Sequence, residues 1–469
     1  MESNEAGGDA ACWLHRVCDE CGAIVDDANP HRAGCSQSAS APAAPRAAVV
    51  ARSEPRWIPA TPVIAGLAFQ LAGWIIVAAH ALRPSPSLAL AWVHAVALGW
   101  LTTIALAVLI RIVPSTTDRE WRFEPLARGS LAGVAGGALL IVAGFLTSTY
   151  VLAAGGVVAT ASIAVYLFAA FRTLEQPGGG RRERTIANAL GTTLFALGLT
   201  AVAGLAMAIL LANGTVPSSH LVLLHVAFGV IAWLTVLTTG VAARTLRVIL
   251  DVDARAPRAH ALVGSTLSLG ALVLVVGGLS RIVEILAFAA VAIGAIAFAF
   301  DALDRAMRST TRNAVARLGV AAAAAWIVVA AAFALAAAAG AVDPAIAVVG
   351  ALLGWIGSMM FAHLHHIGVR LIATSVIGED DETPPEALIS SPIAIAALVL
   401  YQIAVIVLVV AVARGATHGA PANARADEII AALYGIVASA LLALNGRIAI
   451  RRARAVRSQA TAFAAQSPR

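Results

Sequence analysis

The sequence predicts an all-α fold, a polytopic membrane bundle of about twelve transmembrane helices in a pseudo-threefold arrangement, and three observations carry that expectation. The first is composition: of 469 residues, 60% are hydrophobic and only 12% are charged, with a mean hydropathy of +0.85. No soluble core absorbs that much apolar surface, so the solvent of this chain is a bilayer. The second is run length. Apolar stretches of Ala, Leu, Val and Ile come close to the ~20 residues that a helix needs to cross a hydrocarbon layer of ~30 Å, and a backbone in lipid satisfies its polar groups only within such helices. The third is a repeat. Gly99-Trp100-Leu101-Thr102, Ala232-Trp233-Leu234-Thr235 and Gly354-Trp355-Ile356-Gly357 are versions of one pattern, each inside a long apolar run. Eleven residues after each Trp stands a residue able to carry positive charge: Arg111, Arg244 and His366. The Trp spacings are nearly equal, as three copies of one helical unit would give.

In chain order the expected helices cover residues 61–82, 88–113, 129–149, 151–171, 186–212, 219–243, 260–280, 282–300, 318–340, 344–372, 390–413 and 427–449. Alternate connections carry the basic charge, all of it arginine. Arg52 and Arg56 precede the first helix; Arg111, Arg119, Arg122 and Arg128 follow the second; Arg172, Arg181, Arg182 and Arg184 follow the fourth. The pattern continues with Arg244, Arg247, Arg255 and Arg258 after the sixth, Arg305, Arg308, Arg312 and Arg317 after the eighth, and Arg447, Arg451, Arg452 and Arg454 at the end. Twelve crossings put all of these on one side, and the positive-inside rule makes it the cytoplasm. The opposite connections, such as residues 213–217 and 341–344, are short and nearly uncharged. Arg281, Arg414 and Arg425 break the rule. Both termini are therefore expected in the cytoplasm, the location in a bacterial inner membrane. The net charge of +6 is assigned to contact with anionic headgroups, with no role for nucleic acid.

The chain divides into a Cys/His-rich head (1–40), a flexible Ala/Pro/Ser/Arg linker (41–60), the membrane domain (61–450) and a basic tail (451–469). The polar first 40 residues hold no signal-peptide h-region. All four cysteines lie there: Cys12, Cys18, Cys21 and Cys35, with His15 and His31 between them. Cys18-x-x-Cys21-Gly22 has the spacing of a zinc knuckle, in which two thiolates on a tight turn share an ion. The second pair would be Cys35 with Cys12 or His31. Reducing cytoplasm favours metal over a disulfide; a metal-free tail is the competing reading.

Ionisable groups at membrane depth are functional candidates by default. His94 precedes Trp100 by six residues and His225 precedes Trp233 by eight, so both fall near the outer starts of corresponding helices, with His220 and His80 at the same outer level. Neutral imidazole ligates haem iron and copper, and an apolar shell keeps such a site dry. A second group, His363, His365 and His366, lies in the tenth helix just after Met359 and Met360, toward the cytoplasm. His363 and His366 share a face, suited to metal, to proton relay, or to bonding neighbouring carbonyls. Arg281 and Glu284 are expected to form a local ion pair.

The run His94-Ala95-Val96-Ala97-Leu98-Gly99-Trp100-Leu101-Thr102 through Arg111-Ile112-Val113-Pro114, with His225 through Thr235 and Gly354-Trp355 through Ile367, resembles the twelve-helix proteins related to subunit I of haem-copper oxidases, including the NnrS family. The resemblance covers roughly residues 60 to 450. It implies three four-helix arcs with the second, sixth and tenth helices in equivalent places, His94 as a low-spin haem ligand, and His225 or His220 as a copper ligand. The chain departs from that pattern. Residues 270–281 lack the paired His of the seventh helix, and residues 344–356 lack the His-x-His of the outer tenth helix. His363 and His365 have its spacing but lie too deep. The ligand set is incomplete, so oxygen or nitric-oxide reduction is not expected, and no phosphate loop, nucleophile elbow or zinc-protease motif points to another enzyme.

The resemblance implies haem or copper binding linked to metal handling or nitrosative stress. Two other classes stand beside it. One is a transporter or channel lined by Thr102, Thr103, Thr235, Thr238 and Thr239. The other is a sensor or assembly factor whose head engages a cytoplasmic protein partner.

Overall fold

The computed structural model describes residues 60–177, 181–252, 258–277, 280–378, 383–418 and 422–466. Among them the secondary structure is helical, with no strand. The long helices are α1 (Ala60–Leu82), α2 (Pro86–Thr117), α3 (Glu124–Thr147), α4 (Thr149–Leu174), α5 (Arg181–Ala212) and α6 (Ser219–Leu250). They continue with α7 (Arg258–Gly277), α8 (Arg281–Arg308), α9 (Ala314–Ala338), α10 (Pro344–Val376), α11 (Ser391–His418) and α12 (Ala422–Gln466). Eleven of these helices are long and apolar enough, among the described residues, to cross a membrane. Large apolar side chains such as Ile64, Leu139, Phe168, Phe195 and Phe300 face outward. A surface of that kind belongs against lipid tails, and the chain is a polytopic membrane protein.

Consecutive helices pack side by side, and α12 returns against α1 to close the ring. Inside it, α2 and α10 are the most enclosed helices and α6 is less so. At the repeated motif each of these three widens into a π-helix: Ala95–Thr102, Ala227–Thr235 and Gly350–Gly357. Each π segment touches the other two. Their tryptophans, Trp100, Trp233 and Trp355, are among the largest fully buried side chains.

The contacts between copies run one way round. Trp233 Nε1 donates to Thr102 Oγ1 at 3.0 Å, tying α6 to α2. Trp100 in turn lies over α10, its Cη2 3.2 Å from where a Cβ on Gly357 would stand. Position Trp+2 is Thr102, Thr235 and Gly357 in the three copies, so the last cannot accept the indole proton. Trp100 Nε1 is accordingly buried without a partner among the described residues, as is Trp355 Nε1. Tyr401 of α11 stands at Gly357 instead and donates to Leu353 O at 2.7 Å, inside the π stretch where the wider i→i+5 pattern disturbs carbonyl pairing.

Helix ends follow local chemistry. Ser148, Ser218, Asn313 and Asp343 turn side-chain oxygens onto the first free N–H groups of α4, α6, α9 and α10. α2 and α6 both stop at an aspartate eighteen residues past the Trp, Asp118 (φ 53°) and Asp251 (φ 50°), in left-handed conformation; this match between two copies extends the repeat to the helix ends. α2 also continues beyond the expected stop, through Pro114. Proline has no N–H for the carbonyl of residue 110, and Trp121 Nε1 supplies the missing donor to Ile110 O at 2.7 Å.

Two more expectations change. Arg281 does not pair with Glu284: its guanidinium donates to Ala338 O and Ala339 O, closing the last carbonyls of α9. The basic tail extends α12, whose 45 residues reach about 67 Å at 1.5 Å per residue. Ala449 and Ala453 pack there with Val369, Ala373, Leu388 and Ile389, and Arg452 donates to Ala387 O and Ile389 O. At the opposite, Arg-poor end, Arg414 pairs with Asp427, which offsets one of the misplaced charges.

Trp121→Phe leaves Ile110 O buried and unpaired, so it should destabilise the solubilised protein by about 1–3 kcal/mol. Pro114→Ala restores an in-helix donor, and the double variant should recover most of that loss. Additive losses in a thermal-denaturation cycle would refute the pairing.

Candidate functional site

The sites read from sequence fall into an Arg-poor half (His80, His94, His220, His225), an Arg-rich half (His363, His366) and the head. Cys12, Cys18, Cys21, Cys35 and His31 lie outside the described residues.

In the Arg-poor half the fold brings two of the four histidines together. His94 sits immediately before the π segment of α2, and His225 two residues before that of α6. Because those segments meet, the imidazoles above them meet too: their centroids are 6.1 Å apart and their planes tilt by 23°. Each ring is held from behind. His94 Nδ1 donates to Leu90 O at 2.8 Å, one turn back on its own helix, and His225 Nδ1 donates to Thr200 O of α5 at 3.0 Å. A carbonyl oxygen only accepts, so the proton of each neutral ring is on Nδ1 and the lone pair on Nε2. That tautomer, with the second nitrogen anchored on a backbone oxygen, is the usual state of a metal-bound histidine.

The surroundings are apolar. Phe145 of α3 lies 5.0 Å from the His94 ring. It belongs to a small cluster in which Ile141, Leu152, Ala159 and Ala208 pack with Leu98 and Leu211. Gly204 of α5 faces His225 so closely that a Cβ there would stand 2.9 Å from Cε1. Phe145, Thr200 and Gly204 are the site residues that sequence reading missed; each comes from a helix with no motif, and only packing reveals it.

The other two histidines stand apart. His80 Nδ1 lies 2.9 Å from Glu428 Oε2, a hydrogen bond that joins α1 to α12. His220 is one and a half turns above His225 on α6, with Nδ1 buried and unpartnered.

On α10, His363 is engaged at both nitrogens. Nδ1 donates to Met359 O at 2.8 Å, and Nε2 accepts from Thr245 Oγ1 of α6 at 2.8 Å. His365 Nδ1 donates to Phe361 O at 2.9 Å, while its own carbonyl accepts from Asn313. A second π segment, Leu364–Gly368, runs through the group, and the register shift buries both His365 and His366. The His363 ring ties α10 to α6, and the backbone of His365 is tied to the start of α9. Among the described residues no three His, Cys, Asp or Glu side chains are placed to share a metal ion.

Three of the five threonines expected along a polar path have their hydroxyls engaged. Thr102 accepts from Trp233, Thr103 donates to Leu98 O, and Thr239 donates to Thr235 O. No family model matches the chain, and no curated protein matches it.

His80→Ala should lower the midpoint of thermal unfolding, since it separates α1 from α12, and should leave metal content at the wild-type level. Metal loss in that variant would move His80 into the ligand set.

Proposed function

We propose that the chain is an inner-membrane protein of the haem-copper-oxidase-like, NnrS-like class with a reduced ligand set, binding haem iron or copper between His94 and His225. Its task on this reading is metal handling or protection under nitrosative stress. Both termini and the Arg-rich end face the cytoplasm, where Cys12, Cys18, Cys21, Cys35 and His31 offer a zinc site to the head.

One observation carries the reading: two histidines from matching positions of a repeat approach each other with both Nε2 lone pairs free of hydrogen bonds. The ring centroids stand 6.1 Å apart in near-parallel planes, close enough for the two rings to share one ion at metal–nitrogen distances of about 2 Å. Such an approach leaves no room for a haem on one histidine and a separate copper on the other, so the two serve a single centre. Haem iron or copper would supply a one-electron couple there. The chain's own part is to fix both rings through Leu90 O and Thr200 O and to exclude water with Phe145, Leu98 and Leu211.

Purified in detergent, the protein should carry a Soret band or near-stoichiometric copper, and His94→Ala and His225→Ala should each remove it. A colourless wild-type preparation that takes up neither haem nor copper contradicts the proposal.

A further inference from the structure

One face of α12 changes character along its length. Leu433, Val437, Ala440 and Leu444 are exposed and follow one another at alternating steps of four and three residues, which is the spacing of a single helical stripe. Continuing those steps leads to Arg447, Arg451 and Arg454, all three exposed as well. The opposite face is the packed one, where Leu442, Asn445, Ala449 and Ala453 are buried. A surface of leucine and valine that belongs against lipid tails therefore runs straight into three guanidiniums.

The depth suits a headgroup layer. At a rise of 1.5 Å per residue, Arg447 stands about 4.5 Å beyond Leu444, and Arg454 about 10 Å beyond Arg447. The polar layer on each side of a bilayer is roughly 5–7 Å thick, and the flexible stem of arginine lets its charged head shift within that depth. Neighbouring arginines on the same helix are committed to the protein. Arg452 donates to Ala387 O and Ile389 O, and Arg457 donates to Val376 O, so these two hold α12 against the end of α10 and the connection that follows it. Arg447, Arg451 and Arg454 have no such partner among the described residues. Like charges three and four residues apart on a helix repel, and a second copy of the chain presenting the same stripe would add to the repulsion. The counter-charge that relieves it is anionic, and the apolar run below it places that anion on a lipid.

We propose that Arg447, Arg451 and Arg454 bind the phosphate of an anionic phospholipid, whose acyl chains lie along Leu444 and Val437. The proposal is independent of the metal-binding reading. Guanidinium matches phosphate oxygens with paired N–H donors, and each arginine near a charged membrane surface contributes about fivefold in affinity. A lipid held there covers the outer side of the segment whose inner side is bonded through Arg452 and Arg457, and so steadies the extension of α12.

The test is native mass spectrometry of the full chain in detergent, titrated with phosphatidylglycerol or with phosphatidylcholine. Wild type should prefer phosphatidylglycerol, and the triple variant Arg447→Gln, Arg451→Gln, Arg454→Gln should lose about tenfold or more of that affinity while its affinity for phosphatidylcholine stays the same. A charge-matched variant elsewhere on the Arg-rich side, Arg184→Gln, Arg312→Gln, Arg317→Gln, should keep the preference. Should the triple variant fail to fold, the single variant Arg451→Gln should weaken binding about fivefold and Arg451→Lys should recover part of it. Equal losses in the two triple variants show that diffuse charge holds the lipid and overturn the proposal, as does unchanged affinity in the stripe variants. Inorganic phosphate that displaces phosphatidylglycerol at equal concentration reduces the stripe to an anion site and overturns the lipid; an RNA oligomer that binds the stripe in preference to phosphatidylglycerol does the same.

Discussion

Everything in this bundle depends on the mutual contact of three π segments at its centre. Long helices in lipid gain little from burying apolar surface against one another, since lipid tails are as apolar as leucine; close packing and interhelical hydrogen bonds decide the arrangement. The repeated Trp pattern supplies both. Each wide turn carries one indole inward, and the bond from Trp233 to Thr102 and the seat of Trp100 on Gly357 fix depth as well as proximity. A helix slipped by one residue would turn the indole away from its acceptor. Tyr401 marks where exact symmetry is lost: the third copy has glycine for threonine, and a ring from α11 takes the space while bonding a π-segment carbonyl.

The histidine pair is a consequence of that register. His94 and His225 stand just above segments that are forced together, so they approach even though more than one hundred residues separate them in sequence. Backbone carbonyls then set their tautomer. One carbonyl comes from the same helix and the other from α5, and this difference makes α5 part of the site. The polar groups of the Arg-rich half follow another logic. His363 and Asn313 join α10 to α6 and α9 through bonds that are complete at both ends, as groups in a low-dielectric interior need to be.

Much of the fold was legible in the sequence because its signals are local. Apolar run length sets helix number, arginine placement orders the connections, and the Trp repeat identifies α2, α6 and α10 as equivalent. The boundaries were less legible. Pro114 reads as a stop until Trp121 replaces the donor it removes, and the tail after residue 450 reads as solvated charge until Arg452 bonds the carbonyls before α11. Nothing local announces the π-helices: the motif marks their place, but the widened turns show only where the three segments pack on one another. In the site, the proximity of His94 and His225 followed from the repeat, whereas Thr200 and Gly204 sit in a helix with no motif. His80 looked equivalent to them by depth, and only the packing of α1 on α12 shows Glu428 beside it.

The most direct measurement of the central claim is the proximity of positions 94 and 225 in the folded chain. With the four native cysteines changed to serine, His94→Cys and His225→Cys would place two thiols above the π segments, and Hg(II) would bridge them if the segments meet. One equivalent of Hg(II) per chain should protect both thiols from maleimide in the membrane-embedded protein, as expected of helices in register. Independent protection, with each thiol consuming its own equivalent, would show that α2 and α6 do not converge and would contradict the threefold account.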